Sequence, residues 1–194
     1  MYMGCKHRFF DELIPTWEIK YLFIGTFNPS WNSDNSSAIY FYGRKRNNFW
    51  DILPNIFGGK SMKGSSKEIF VDYLKNYNIG LTDLIANVAN VEENNSLDKD
   101  NLTKGFSDAT LNKYELEFAT DKIKELILRN KSTLKGVYFT RSTGIGIKKI
   151  WEEWIAIENL CNASSIHTCA LMTPANYRGG VFLKTKMWLD KINL

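Results

Sequence analysis

The sequence predicts an α/β fold, a three-layer α/β/α sandwich around a central, mostly parallel four-stranded sheet. Three observations carry this. Short apolar runs bounded by turn residues recur at 20–25, 78–85, 135–140 and 164–172. Segments of helical apolar spacing lie between them, and strands alternating with helices imply parallel pairing. The first run is apolar on consecutive residues, as in a strand covered on both faces.

The elements follow in order. KYLFIG (20–25) is a buried strand closed by Gly25. Residues 47–57 place Phe49, Trp50, Leu53, Ile56 and Phe57 at helical spacing. Pro54 would kink or shorten that helix, and Gly58-Gly59 end it. Gly59 to Ser66 reads as a loop and 67–76 as a second helix. NIGLTDLI (78–85) is a strand whose tail carries Asp83. Asn87 to Asp108, dense in Asn, Asp, Ser and Lys, predicts a long surface connector. Tyr114, Phe118, Ile123, Leu126 and Ile127 predict a helix over 112–129. KGVYFT (135–140) is a strand, after which Ser142 or Thr143 is expected to cap a helix. There Ile147, Ile150, Trp151, Trp154 and Ile155 keep the spacing i, i+3, i+4, i+7, i+8. The strand 164–172 leads through Thr173 to Gly180 into a closing helix. The 194 residues, without repeats, fit a single domain spanning 1–194.

Composition narrows the function classes. The net charge is +4, from 25 basic and 21 acidic residues, which permits nucleic-acid binding without requiring it. Cys5, Cys161 and Cys169 form no CxxC pair, which argues against a disulfide framework or a four-cysteine iron–sulfur cluster. His7 and His167 lie far apart, so no zinc-ligand spacing is present. No signal-peptide core and no apolar run of roughly 18 residues occurs. A soluble, cytoplasmic protein is expected, a monomer without metal or cofactor and without membrane association.

The familiar catalytic signatures are missing. There is no GxxxxGK[ST] cradle and no GxSxG elbow, and Gly144-Ile145-Gly146 is only a fragment of a dinucleotide fingerprint. Two distant histidines give a Ser-His-Asp arrangement little support, and the carboxylates are scattered rather than paired. What remains is amide chemistry in loops. Asn28 precedes Pro29 directly after a strand, where it serves equally as a turn-former. Asn47 and Asn48 open a helix, where either is also a natural cap. Both lie beside Phe41-Tyr42-Gly43-Arg44-Lys45-Arg46, an aromatic and basic stretch. In open α/β sheets, ligands sit at the carboxyl ends of strands.

The ordered set GTFNPS (25–30), FYGRKRNNFW (41–50), GLTDL (80–84) and TPANYRGG (173–180) resembles the uracil-DNA glycosylase superfamily, in its mismatch-specific and deoxyinosine (hypoxanthine) branches. Each block is short, and the specificity lies in the set. The resemblance implies a monofunctional DNA glycosylase of base-excision repair that hydrolyses the N-glycosidic bond of a damaged or mismatched base, uracil or hypoxanthine. Its partner would be DNA, a damaged duplex or a single strand, with the target base flipped into a pocket.

Roles carry over by position. Asn28 resembles the residue that holds the attacking water, and Asn47 the Asn tied to catalysis or base recognition. Phe41 or Tyr42 would stack on the flipped base, and Thr26 and Phe27 would offer backbone groups to its edge. Pro174, Ala175, Asn176 and Tyr177 would form a wedge in the duplex. Arg178, with Arg44, Lys45 and Arg46, would contact phosphates, and Ser142 and Thr143 would add a backbone phosphate contact at a helix start. Asn28 stands where the most active branches carry a carboxylate. A neutral amide orients water but is a poor base, so slow turnover is expected. Other readings are a non-catalytic DNA- or nucleotide-binding module on the same fold, and an enzyme acting on a free nucleotide.

Overall fold

Side chains alternate across the central sheet, and the alternation sets the two helical layers. The computed structural model describes residues 4–32, 38–104, 107–175 and 179–194. The chain opens with a short strand, Cys5–Lys6 (β1). The central sheet is built from Tyr21–Gly25 (β2), Ile79–Asp83 (β3), Gly136–Phe139 (β6) and His167–Ala170 (β7). Its order is β3-β2-β6-β7 and every pairing is parallel. Strands β2, β3 and β6 are buried at every position, as expected for a parallel sheet covered on both faces. The edge strand β7 is the more exposed one.

Phe23 and Tyr138, paired in register, share one face of the sheet. On that face Phe23 meets Phe49 and Phe57 of Phe49–Phe57 (α1) and stacks on Trp188 of Val181–Leu189 (α7) at 5.7 Å. Phe139, the next residue of β6, points the other way. There it packs against Trp151 and stacks on Trp154 of Lys148–Ala163 (α6) at 5.3 Å. Thr120–Arg129 (α5) lies beside α6, and Lys67–Asn76 (α2) beside β3. The predicted three-layer α/β/α architecture is therefore the observed one.

Pro54 is accommodated inside α1. Proline has no N–H, so the Trp50 carbonyl four residues earlier lacks its helical donor. The Met62 N–H supplies one instead, at 3.0 Å.

Two predictions are corrected. The span 87–108 is not a bare connector. Ile85–Ala89 (β4) runs into it, and Ser96–Thr103 (α3) lies within it. The Asn95 side chain caps α3 by accepting from the Leu97 and Asp98 N–H groups, so the polar composition there included a helix cap. The predicted helix over 112–129 is also divided. Its first part contains Glu115–Phe118 (β5), antiparallel to β4, and the helix α5 begins at Thr120. In β5 the glutamates alternate with Leu116 and Phe118, a period of two that the longer helical pattern concealed.

Strands β1, β4 and β5 form a second, antiparallel sheet. The chain just beyond β1 then acts as a strap. His7 donates its N–H to the Ala86 carbonyl at 2.8 Å, and Arg8 donates to Asn28 O at 2.7 Å. The Arg8 guanidinium also donates to the carbonyls of Pro29, Ser30 and Trp31. The N-terminal segment thus fastens the turn after β2 to β4. Among the described residues no helix is long and apolar enough to cross a membrane.

Candidate functional site

The strap delivers His7 to the carboxyl ends of β2 and β3. The last residue of β3 is Asp83, which is 2 % exposed. Its Oδ2 lies 2.8 Å from His7 Nε2 and 2.8 Å from Asn28 Nδ2. The roles of the atoms follow from their partners. Phe9 donates its N–H to His7 Nδ1 at 3.0 Å, so Nδ1 is the acceptor and the proton sits on Nε2, facing Asp83. A carboxylate oxygen accepts, so the Asn28 amide turns its NH2 to Asp83 and its carbonyl oxygen away. The His7 ring is held between aromatic neighbours, stacked on Phe41 at 5.3 Å with Phe9 and Phe27 at 5.8 Å.

Tyr42 closes the site from above β2. Its ring stacks on Phe49 at 4.1 Å, and its hydroxyl lies 3.1 Å from Thr140 Oγ1. Thr140 spends its one proton on the Ile24 carbonyl, so Tyr42 donates to Thr140 and keeps its lone pairs for another donor. Burial and the negative field of Asp83 and Asp108 push the Tyr42 phenol well above its ordinary pKa, with the Thr140 bond partly opposing them. The backbone of Tyr42 is left-handed, with φ 56°. Such a conformation costs on the order of 1 kcal/mol away from glycine and is kept where the surroundings enforce it. Gly25 lies beneath: a Cβ there would meet Asp83 Oδ1 at 2.3 Å and the Tyr42 hydroxyl at 2.7 Å. Only a residue without a side chain lets these groups converge.

A second carboxylate joins from the long excursion. Ser107 caps the short helix Asp108–Leu111 (α4), and Asp108 turns inward from it. Thr26 Oγ1 donates to Asp108 Oδ1 and Arg141 Nη1 to Oδ2, each at 2.8 Å. Burial pushes the Asp108 carboxyl up, against the pull of Arg141 and Thr26, and the field of Asp83 adds to the rise. A carboxyl raised in the folded state favours folding most below its unfolded value and loses that contribution as pH climbs through the folded one. Asp108→Asn should therefore gain stability relative to wild type as pH rises above the ordinary carboxylate range. Thermal melts across mildly acidic to neutral pH measure this.

The other predicted residues fall into three groups. Asn28, Thr26 and Tyr42 gather at the strand ends. Arg44 is half-buried nearby; burial and the neighbouring Arg8 push its guanidinium pKa down, while Asp83 pulls it up. Lys45 and Arg46 are exposed.

A second cluster forms where the two ends of the motif set meet. Asn47 forms a β-bridge with Ala175, and Asn48 donates its N–H to the Pro174 carbonyl at 2.9 Å. Asn47 Oδ1 accepts from the Phe49 N–H at 2.9 Å, a local turn at the helix start. Lys184 of α7, fully buried, donates to the Ala175 carbonyl beneath. No hydrogen bond joins Asn28 to Asn47 among the described residues; the Tyr42–Phe49 stack connects the two clusters.

The remaining residues depart from expectation. Phe41 is 0 % exposed, packed on His7 and Phe9, and Trp50 Nε1 donates to its carbonyl, so its ring belongs to the core rather than to a base. The Thr26 carbonyl is already engaged by the Ile85 N–H; burial of the Phe27 ring against His7 concerns its side chain and not the backbone groups expected to meet a base. Ser142 and Thr143 are exposed but cap nothing: α6 starts at Lys148 with Ile147 at its N-cap and no side-chain cap. Glycines and a bend fill the intervening turn, which moves the helix start away from the hydroxyls. Pro174 is buried, so its part in the loop is anchoring rather than projection. Asn176, Tyr177 and Arg178 lie outside the described residues.

Burial pushes the Lys184 ammonium pKa down. A lysine lowered on folding gives up its proton in the folded state first, so stability grows as pH rises toward the ordinary lysine value. Any advantage of Lys184→Met over wild type should therefore shrink as pH rises through the alkaline range toward the unperturbed lysine pKa of about 10.4. Denaturant melts over that range measure it.

Sequence reasoning missed His7, Asp83 as an Asn28 partner, Asp108 and Arg141. The one available signal was Asp83 at a strand tail; nothing local linked it to His7, 76 residues away. Fold and site together define an α/β protein with a buried imidazole–carboxylate pair joined to a half-buried amide at the carboxyl end of a parallel sheet. No protein-family model matches the chain, no curated protein matches its sequence, and no solved structure matches it.

Proposed function

We propose that the protein is a cytoplasmic, monofunctional DNA glycosylase that hydrolyses the bond between deoxyribose and a deaminated or mismatched base, without metal or redox cofactor. The observation that carries the reading is the Asn28 amide, held at 2.8 Å by Asp83 at the strand ends with its carbonyl oxygen turned away. That oxygen accepts a hydrogen bond from water and aims the water's lone pair at C1′; the C1′–O bond forms as the C1′–N bond breaks, and the water's proton passes through solvent to the departing base. As the C1′–N bond lengthens, positive charge grows on the sugar and negative charge on the base. Asp83 provides a fixed negative charge suited to the sugar's charge, while Asp108 is balanced by its ion pair with Arg141. The bond between Thr26 and Asp108 and that between Tyr42 and Thr140 hold the surrounding groups in place.

Asp83 also bears on the expected turnover. The amide at position 28 is a poor base alone, but a carboxylate beside it contributes the electrostatic stabilisation that an isolated amide lacks. Lys45 and Arg46, both exposed, suit contacts to phosphates. The pairing of 47–48 with 174–175 supports the reading by bringing together the segments that would grip DNA.

The test is incubation with duplexes carrying uracil, hypoxanthine, xanthine or a mismatch, followed by cleavage at abasic sites. Asn28→Ala should lower kcat about 100-fold, in line with removal of one positioned polar group. Duplex binding with no abasic sites from any substrate would instead identify a non-catalytic binding module.

A further inference from the structure

We propose that His7 is a positioning residue of this site: through Asp83 it fixes the Asn28 amide, so the N-terminal strap is part of the working machinery. The proposal rests on the glycosylase reading for its kinetic consequence and on geometry alone for its structural one. Each link has a defined direction. Phe9 N–H donates to His7 Nδ1 at 3.0 Å, which leaves the imidazole proton on Nε2. Nε2 donates to Asp83 Oδ2 at 2.8 Å, and the same oxygen accepts from Asn28 Nδ2 at 2.8 Å. The ring has no freedom to change partner. His7 is 1 % exposed, its backbone is tied to Ala86 and bridged to Pro29, and its ring is stacked on Phe41.

The consequence is a choice of orientation. Without the imidazole donor, Asp83 Oδ2 has a vacant lone pair and the carboxylate can rotate about its χ2, which broadly tolerates rotation. The Asn28 amide then loses its fixed partner and its carbonyl oxygen no longer holds one direction. His7 touches no substrate in this scheme. It acts through Asp83 and Asn28, much as outer-shell partners orient metal ligands.

Two amide substitutions separate this role from simple packing. In His7→Gln the side-chain NH2 reaches the Nε2 position and still donates to Asp83. In His7→Asn the side-chain oxygen replaces Nδ1 and accepts from Phe9, but nothing donates to Asp83. His7→Gln should keep kcat within about threefold of wild type, while His7→Asn should lower it about 10- to 100-fold with KM little changed. Equal kcat for the two variants would overturn the proposal while leaving the glycosylase reading intact.

Imidazole and side-chain-amide NMR of the unsubstituted protein judges the geometry independently. A His7 Nε2–H tautomer and a hydrogen-bonded Asn28 NH2 are expected, and an Nδ1–H tautomer overturns the proposal. If wild type forms no abasic sites on any duplex, the glycosylase reading fails. The NMR signals, with loss of the Asn28 amide signature in His7→Asn but not in His7→Gln, then decide the positioning role alone. This spectroscopic arm also decides it if His7→Asn does not fold.

Discussion

Asp83→Ala lowers stability by about 3 kcal/mol and abolishes whatever activity the site has. The substitution removes the acceptor of one buried donor, His7 Nε2–H, and of one half-buried donor, Asn28 Nδ2–H. Each buried donor left unsatisfied costs about 1–3 kcal/mol, and the small cavity adds to the loss. For a chain of this length each kcal/mol moves Tm by about 2–4 °C, so the melting temperature should fall by roughly 10 °C. Asp83→Asn separates the two effects. It keeps the volume and one acceptor, so most of the stability should return, but it removes the negative charge that the proposed reaction relies on. Thermal melts and single-turnover kinetics of both variants check this. Alanine and asparagine variants with the same Tm would show that the hydrogen bonds contribute nothing to folding.

Gly25→Ala should be as damaging, for the opposite reason. One added methyl would lie 2.3 Å from Asp83 Oδ1 and 2.7 Å from the Tyr42 hydroxyl. Neither neighbour yields easily. Asp83 is held by His7 and Asn28, and Tyr42 by its stack on Phe49 and its bond to Thr140. Overpacking of a well-filled site costs typically 1–3 kcal/mol, occasionally more, and about 3 kcal/mol is expected here. Gly64 is a control: a Cβ there meets nothing within 4 Å, although its φ of 84° carries its own backbone cost. The Gly25 effect should therefore appear both in Tm and in the environment of Asn28, whereas Gly64→Ala should change Tm alone. Unchanged Asn28 amide signals in Gly25→Ala would refute the close approach.

Much of the fold was legible in the sequence because its signals are local. The runs at 20–25 and 135–140 became β2 and β6, and Ile150 and Trp154 occupy the buried face of α6. The errors were also local. Tyr114 and Phe118 fit a helical pattern continuous with Ile123, yet β4 offered ladder hydrogen bonds that made 115–118 a strand. Ser142 and Thr143 had the chemistry of caps, but the turn that follows β6 runs on to Ile147 before α6 begins.

The site was only half legible. Position and composition marked Asn28, Tyr42 and the 41–50 stretch, while Phe41 and Tyr42 stood as alternatives that only their tertiary burial and partners separate. By itself, the sequence determined the parallel sheet and its helical cover, and marked the polar turns at the strands' carboxyl ends, because apolar periodicity and strand–turn boundaries are read within a dozen residues. Only the tertiary structure decided what stands there. The strap along β4 carries His7 to Asp83, Asp83 to Asn28 spans 55 residues, and Arg141 to Asp108 spans 33. No local pattern encodes such pairings, since they arise from where sheet edges and crossovers place residues distant in the chain.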